Sequence, residues 1–219
     1  MSFEKMLMGR KPSKAILSDG PFCCIDLSVG NMALKEIDGA AAMDHFISNY
    51  ITANDCKGAA GGYNEERSLY KSSPIFNDSA APERNIHIGL DIWMKAGTPV
   101  LAAVDGIVHS FNYNAGAGNY GPTIILQHRL EEFSFYTLYG HLSIESIEEI
   151  EIGDIFKMGQ QIGTLGTASV NGNYSPHLHF QIIKVMGNFF GDYPGVCAKS
   201  DWDFYLENCP DPNLLLKII

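Results

Sequence analysis

The spacing of apolar positions changes about a third of the way along the chain. Between Asp38 and Asn54, the residues Met43, Phe46, Ile47, Tyr50 and Ile51 recur at helical steps, and Asp38 stands where an N-cap belongs. That stripe reads as a packing face without chemistry. Ahead of it, Phe22–Leu27 is a short strand candidate. Residues 57–67 read as a flexible connection, followed by a second polar stretch through Pro82. From Ile86 onward, short β-branched and aromatic runs alternate with glycine turns, the pattern of an antiparallel sheet. The clearest predicted strands are Thr98–Ala103, Gly106–Phe111, Thr123–His128, Ser134–Tyr139 and His177–Ile183. Asp105-Gly106 is the strongest hairpin signal, and Gly153 and Gly159 mark further turns. The glycine-rich stretch Asn112–Gly121 reads as a mobile loop. Beyond Gly187 the pattern turns irregular, and the apolar tail Leu214–Ile219 is expected to pack as an edge strand.

Composition narrows the function classes. The chain has 219 residues, 46% of them hydrophobic, enough for a sizeable core. No apolar run approaches the roughly 20 residues that span a bilayer. Fifteen Lys and Arg against 25 Asp and Glu leave a net charge of −10, so nucleic acid is not an expected partner, and anionic surfaces gain no long-range attraction. The first residues lack the apolar core of a secretory signal, which points to the cytoplasm, or to the envelope if the N-terminus is truncated. Cys23, Cys24, Cys56, Cys197 and Cys209 are odd in number and irregular in spacing, and read as reduced thiols.

The histidines carry the chemical signal. Four of the seven fall into three short motifs together with one Asp. In His87-Ile88-Gly89-Leu90-Asp91, a straight strand would hold the two polar side chains about 13 Å apart. Zinc ligands lie about 2 Å from the ion, so the chain must bend between them, and Gly89 is the residue able to permit it. In His177-Leu178-His179, positions i and i+2 of a strand point the same way, about 6.6 Å apart. Leu178 and Phe180 then face the core while both imidazoles face a cleft. A histidine pair buried in the core is the alternative, but two adjacent imidazoles repel once protonated. The third motif, Tyr139-Gly140-His141, ends a strand. His45, His109 and His128 belong to no motif.

Together these motifs resemble the lysostaphin/LytM-type zinc metallopeptidases, which include peptidoglycan endopeptidases. The resemblance runs from about Arg84 to Lys184. It implies a mainly β fold, an antiparallel sheet/barrel-sandwich hybrid (duplicated hybrid motif), here with an N-terminal mixed α/β extension. The expected organisation is an extension with one helix over 1–83, a metallopeptidase-like core over 84–186 and an irregular tail over 187–219. The resemblance further implies one Zn2+ per chain on His87, Asp91 and His179, with His141 and His177 acting in catalysis. Spacing alone leaves open whether both imidazoles of the His-x-His motif bind metal; the resemblance frees His177. More narrowly, Gly-Gly-Tyr-Asn-Glu-x-Arg, Tyr-Gly-Pro-Thr-Ile and Gly-Asp-Tyr-Pro-Gly-Val are similar to the version found in fusions with a phosphotransferase and a class-III aminotransferase-like domain. This narrower resemblance implies kinase-like or aminotransferase-like proteins as neighbours.

The expected activity is zinc-dependent hydrolysis of an amide bond, in a peptide or acylated amine or in peptidoglycan peptides. A non-catalytic zinc-binding scaffold or docking module of the same fold is the alternative. Three residues are candidates for substrate binding or latency. Asn64 is the upstream asparagine that a latent relative would place on the metal, Arg84 suits a substrate carboxylate, and Tyr120 lies in the glycine-rich loop.

Overall fold

A computed structural model describes residues 1–68 and 82–219. The polar stretch expected before Pro82 falls largely outside the described residues. The strands are β1 (Phe22–Cys24), β2 (Gly58–Gly61), β3 (Glu65–Glu66), β4 (Arg84–His87), β5 (Leu90–Trp93), β6 (Pro99–Leu101), β7 (Gly106–Asn114), β8 (Gly121–Leu130), β9 (Phe133–Gly140), β10 (Ile155–Phe156), β11 (Gln161–Thr164), β12 (His177–Ile183) and β13 (Val196–Ala198). The α-helices are α1 (Phe3–Gly9), α2 (Gly39–Ala53), α3 (Trp202–Asn208) and α4 (Asn213–Leu216). Eight strands form one sheet in the order β1-β2-β5-β12-β9-β8-β7-β10. β13-β4-β3 and β11-β6 form two smaller sheets. The fold is mainly β, as expected. The large sheet is mixed rather than antiparallel throughout, because β1 runs parallel to β2.

The period-2 alternation of the strands decides what each face carries. Leu178, Phe180 and Ile182 of β12 enter the main core with Leu90 and Ile92 of β5 and with Ile124 and Leu126 of β8. Each such side chain contributes about 1.5–3 kcal/mol on burial. On the opposite face, Ile125, Leu138 and Ile183 anchor a second cluster with Tyr193 and Cys209. Asp91, His177, His179 and Gln181 alternate with the core residues, so they share this second face.

Several elements differ from the sequence reading. α2 forms with Asp38 at its N-cap, but the Asp38 side chain makes no capping hydrogen bond. Asn112–Asn114 and Gly121 belong to β7 and β8, so the connecting loop is confined to 115–120. The region after Gly187 holds β13, α3 and α4. The first half of the tail, Leu214–Leu216, is helical where an edge strand was expected. Pro212 at the cap has φ −61°, already set for a helix, and the Leu run buries Leu215 and Leu216 in the main core with Phe3, Met6 and Leu7 of α1. All five cysteines are free thiols. His45 lies exposed on α2.

His128 is a buried neutral imidazole. Its Nδ1–H donates to the Asp105 carbonyl at 2.9 Å, and its Nε2 accepts from the Thr137 hydroxyl at 2.7 Å. Burial pushes its pKa down to about 4. In the unfolded chain the group titrates near 6.5, so between those values only the unfolded state takes the proton. The stability it contributes is present above pH 6.5 and is lost as pH falls towards 4. At about 1.4 kcal/mol per unit, the loss reaches roughly 3 kcal/mol. Denaturant unfolding at pH 7 and 4.5 is expected to show His128→Gln losing less stability than the parent over that interval. Equal losses would reject the assignment.

Candidate active site

β4 belongs to the three-stranded sheet and β5 to the eight-stranded one, and the chain crosses between them at Ile88-Gly89. This crossing is the bend that the His87–Asp91 spacing demanded. Gly89 is needed there for a second reason: a Cβ at this position would run into the His179 ring. His179 is the cross-strand partner of Asp91 in the β5–β12 register. The crossing and the register bring three donor atoms together. His87 Nε2 lies 2.9 Å from His179 Nδ1, and Asp91 Oδ1 lies 3.3 Å from the former and 3.2 Å from the latter. All three residues are buried.

Hydrogen bonds on the far side of each ring decide which nitrogens carry lone pairs. His87 Nδ1–H donates to the Gly62 carbonyl at 2.8 Å. His179 Nε2–H donates to Gln181 Oε1 at 3.0 Å, and Gln181 Nε2 is spent on the Pro194 carbonyl and Cys209 Sγ. The two nitrogens left facing each other are both acceptors, beside a carboxylate oxygen. Three acceptors in contact with no proton between them repel, and a cation relieves the repulsion. Atoms about 2 Å from a zinc ion in tetrahedral array lie about 3.3 Å apart, close to the spacing observed. The donor set therefore fits a divalent metal such as zinc. Burial raises the Asp91 pKa, but the neighbouring His87 and His177 imidazoles and the Arg67 guanidinium outweigh it and hold the carboxyl well below its usual range. Burial pushes His87 down to about 4, so both side chains are free of the proton that would block a metal at neutral pH.

His141 and His177 stand beside this cluster with ring centroids 4.2 Å apart. His141 Nδ1–H donates to the Asn171 carbonyl and His177 Nδ1–H to the Ser175 carbonyl, each at 2.7 Å, so Nε2 carries the lone pair in both. His177 Nε2 lies 3.7 Å from Asp91 Oδ1, and the Trp93 ring, opposite it in the register, stacks on the imidazole. Burial holds His141 well below its usual pKa, aided by His177 and His179, and burial likewise lowers His177. Both are neutral bases at neutral pH. His141 has φ +63°, a left-handed conformation that costs a non-glycine residue about 1–3 kcal/mol. Its own peptide over-determines it: the N–H donates to the Tyr120 carbonyl and the carbonyl accepts from Gly166 N–H.

The cluster opens into a cleft of about 750 Å³ walled by Arg84, Tyr120, Tyr174, Trp93 and residues of α2. Tyr120 packs on His141 and His179, with its hydroxyl 3.4 Å from His179 Nε2. Asn64 Oδ1 accepts from Trp202 Nε1–H at 2.7 Å, so the oxygen that the latency expectation turns to the metal is engaged elsewhere. From the same segment it is Arg67 that enters, its Nη1 2.6 Å from Asp91 Oδ2. Sequence reading missed Arg67, Gln181, Trp93 and Tyr174. Gln181 was within reach, since it follows His177 and His179 at the same two-residue step.

The sheet thus turns the three motifs towards one His/Asp/His cluster. Residues 85–190, just under half of the chain, match the family model described as Peptidase family M23. Among curated relatives, it is 38% identical over 98 residues to the peptidoglycan DD-endopeptidase ShyC of Vibrio cholerae, covering 44% of this chain and 20% of that protein. It is 36% identical over 116 residues to lysostaphin of Staphylococcus staphylolyticus, covering 52% and 22%. It is also 28% identical over 130 residues to the L-Ala–D-Glu endopeptidase of Bacillus subtilis, covering 55% and 37%. The chain thus spans well under half the length of these relatives. Among solved structures, the catalytic domain of lysostaphin from Staphylococcus simulans superposes with a TM-score of 0.36 at 27% identity, over 55% of this chain and 80% of that one.

Proposed function

We propose that this chain is a zinc-dependent peptidase in which His87, Asp91 and His179 hold one metal ion and His141 and His177 move protons beside it. The observation that carries the reading is the convergence of three unprotonated donor atoms, two of them 2.9 Å apart, next to two buried neutral imidazoles. Zinc bound there supplies Lewis acidity, polarising a carbonyl and acidifying water. The proton work falls to the chain's own residues. Nε2 of His141 or of His177 takes the proton of the attacking water and returns it to the leaving amine, and the imidazole so protonated donates to the developing oxyanion. The backbone bonds of Asn171 and Ser175 hold each ring in the tautomer this requires. Arg84 and Tyr120 line the cleft wall, where the former would pair with a substrate carboxylate and the latter's hydroxyl would donate to the substrate. We take 84–186 as the catalytic core, with 1–83 and 187–219 flanking it.

Peptide bonds of peptidoglycan are the substrate class that the name of the Vibrio cholerae relative supports. A second reading, a short peptide or acylated amine in the cytoplasm, rests on the charge of −10 and five free thiols. That charge opposes approach to an anionic polymer within a Debye length of about 8–10 Å. Incubation of the zinc-loaded protein with purified sacculi, soluble peptides and acylated amines separates them. Fragments released from sacculi, and lost in His141→Ala, are the expected result. Cleavage confined to soluble substrates selects the second reading. One equivalent of bound zinc with no cleavage at all would leave a metal-binding scaffold in place of an enzyme.

A further inference from the structure

The segment from Gly62 to Arg67 lies outside the matched residues 85–190, yet it touches two of the three candidate ligands. Gly62 offers the carbonyl that fixes the His87 tautomer. Gly62 itself must be glycine, since a Cβ there would run into the Arg67 guanidinium. Arg67 is buried, with a side chain 3% exposed, and its backbone N–H is tied to the Asn85 carbonyl at 2.9 Å. The guanidinium spreads its donors over two carboxylates: Nη1 to Asp91 Oδ2 at 2.6 Å and Nε to Glu65 Oε2 at 2.5 Å. The other oxygen of Glu65 accepts from Leu27 N–H at 3.0 Å, so the acid that aims the arginine is itself held. Trp93 lies 5.8 Å from the guanidinium carbon.

From this geometry we propose that Arg67 is a positioning residue for the metal site, occupying Asp91 Oδ2 so that Asp91 serves as a donor through Oδ1 alone. The inference rests on the metal-site reading above. Oδ1 is the oxygen that faces His87 Nε2 and His179 Nδ1, and a carboxylate whose second oxygen is already bonded cannot turn to offer both. Charge alone does not explain the arrangement. Glu65 beside Arg67 cancels most of its repulsion towards a cation, so orientation is the larger effect of the pair. A lysine would keep the charge but, as a point donor, could not bridge Asp91 and Glu65 in one plane.

The test titrates Co2+ and Zn2+ into the full chain against a competing chelator and records the visible Co2+ spectrum for the parent, Arg67→Gln, Arg67→Lys and Glu65→Gln. Circular dichroism of each metal-free protein reports folding. The parent is expected to take one equivalent. Arg67→Gln is expected to bind about 10–100-fold more weakly, the usual effect of removing a partner that orients a ligand. Its Co2+ bands should weaken as the freed Oδ2 raises the coordination number. Arg67→Lys should recover only part of the affinity. Glu65→Gln, which leaves the Arg67–Asp91 bond in place, should shift affinity in the same direction by less, and it serves as the test if Arg67→Gln does not fold. Unchanged affinity and spectrum in the folded Arg67 variants, or in Glu65→Gln where they do not fold, would overturn the role of Arg67. So would full recovery in Arg67→Lys, which would make the effect one of charge. Failure of the parent to bind metal would instead overturn the site itself.

Discussion

His179→Ala is expected to leave the protein folded, without stoichiometric zinc and without measurable hydrolysis. His179 Nδ1 is one of three mutually contacting donor atoms, so its removal leaves His87 Nε2 and Asp91 Oδ1 as a two-atom remnant. Two protein donors do not hold zinc against competing water and buffer in the way three do. The loss in turnover should reach about 10⁴-fold or more, the worth of several kcal/mol of metal-derived stabilisation. The fold should survive because Leu178, Phe180 and Ile182, on the opposite face of β12, keep the strand in the core. The cost is the Gln181 Oε1 left without its donor, about 1–3 kcal/mol. Elemental analysis after purification without chelator, alongside circular dichroism, checks both halves. Full metal retention would remove His179 from the ligand set.

His141→Ala and His177→Ala are expected to do the reverse, keeping the metal and losing about 10²–10⁴ in turnover, the range for general acid–base catalysis. The distances separate the two groups of histidines. His177 Nε2 stands 3.7 Å from Asp91 Oδ1, beyond the 2.9–3.3 Å mesh of the other three residues. Both catalytic candidates also spend Nδ1 on a backbone carbonyl of the loop preceding β12. Zinc content and sacculus or peptide cleavage measured on one preparation decide the outcome. If His177→Ala loses the ion, both imidazoles of the His-x-His motif are ligands and the proton work falls to His141.

Where side-chain direction follows from local period, the sequence was a sufficient guide. β12 occupies the predicted residues from His177 to Ile183, because strict alternation leaves that stretch one way to face a core. The bend at Gly89 follows from metal–ligand distances and a strand's rise per residue alone. The chain after Gly187 and the loop 112–121 were less legible, since short polar or glycine-rich stretches carry no period. The tail Leu214–Ile219 failed for a related reason. A continuous apolar run fits a buried strand or a buried helix equally well, and Pro212 together with the packing on α1 selected the helix.

The order of residues along the chain thus determined the β character, the bend in the His87–Asp91 motif and the five residues of the candidate site. Tertiary structure alone decided how the acid and the rings are aimed. Arg67 on Asp91 Oδ2, Gly62 on His87, Trp93 on His177 and the release of Asn64 to Trp202 join segments between 24 and 138 positions apart, or pair through sheet register. Local period encodes which face a side chain takes. It cannot encode which distant segment closes over that face, because that choice depends on strand register and on the volume each segment must fill once the sheet has formed.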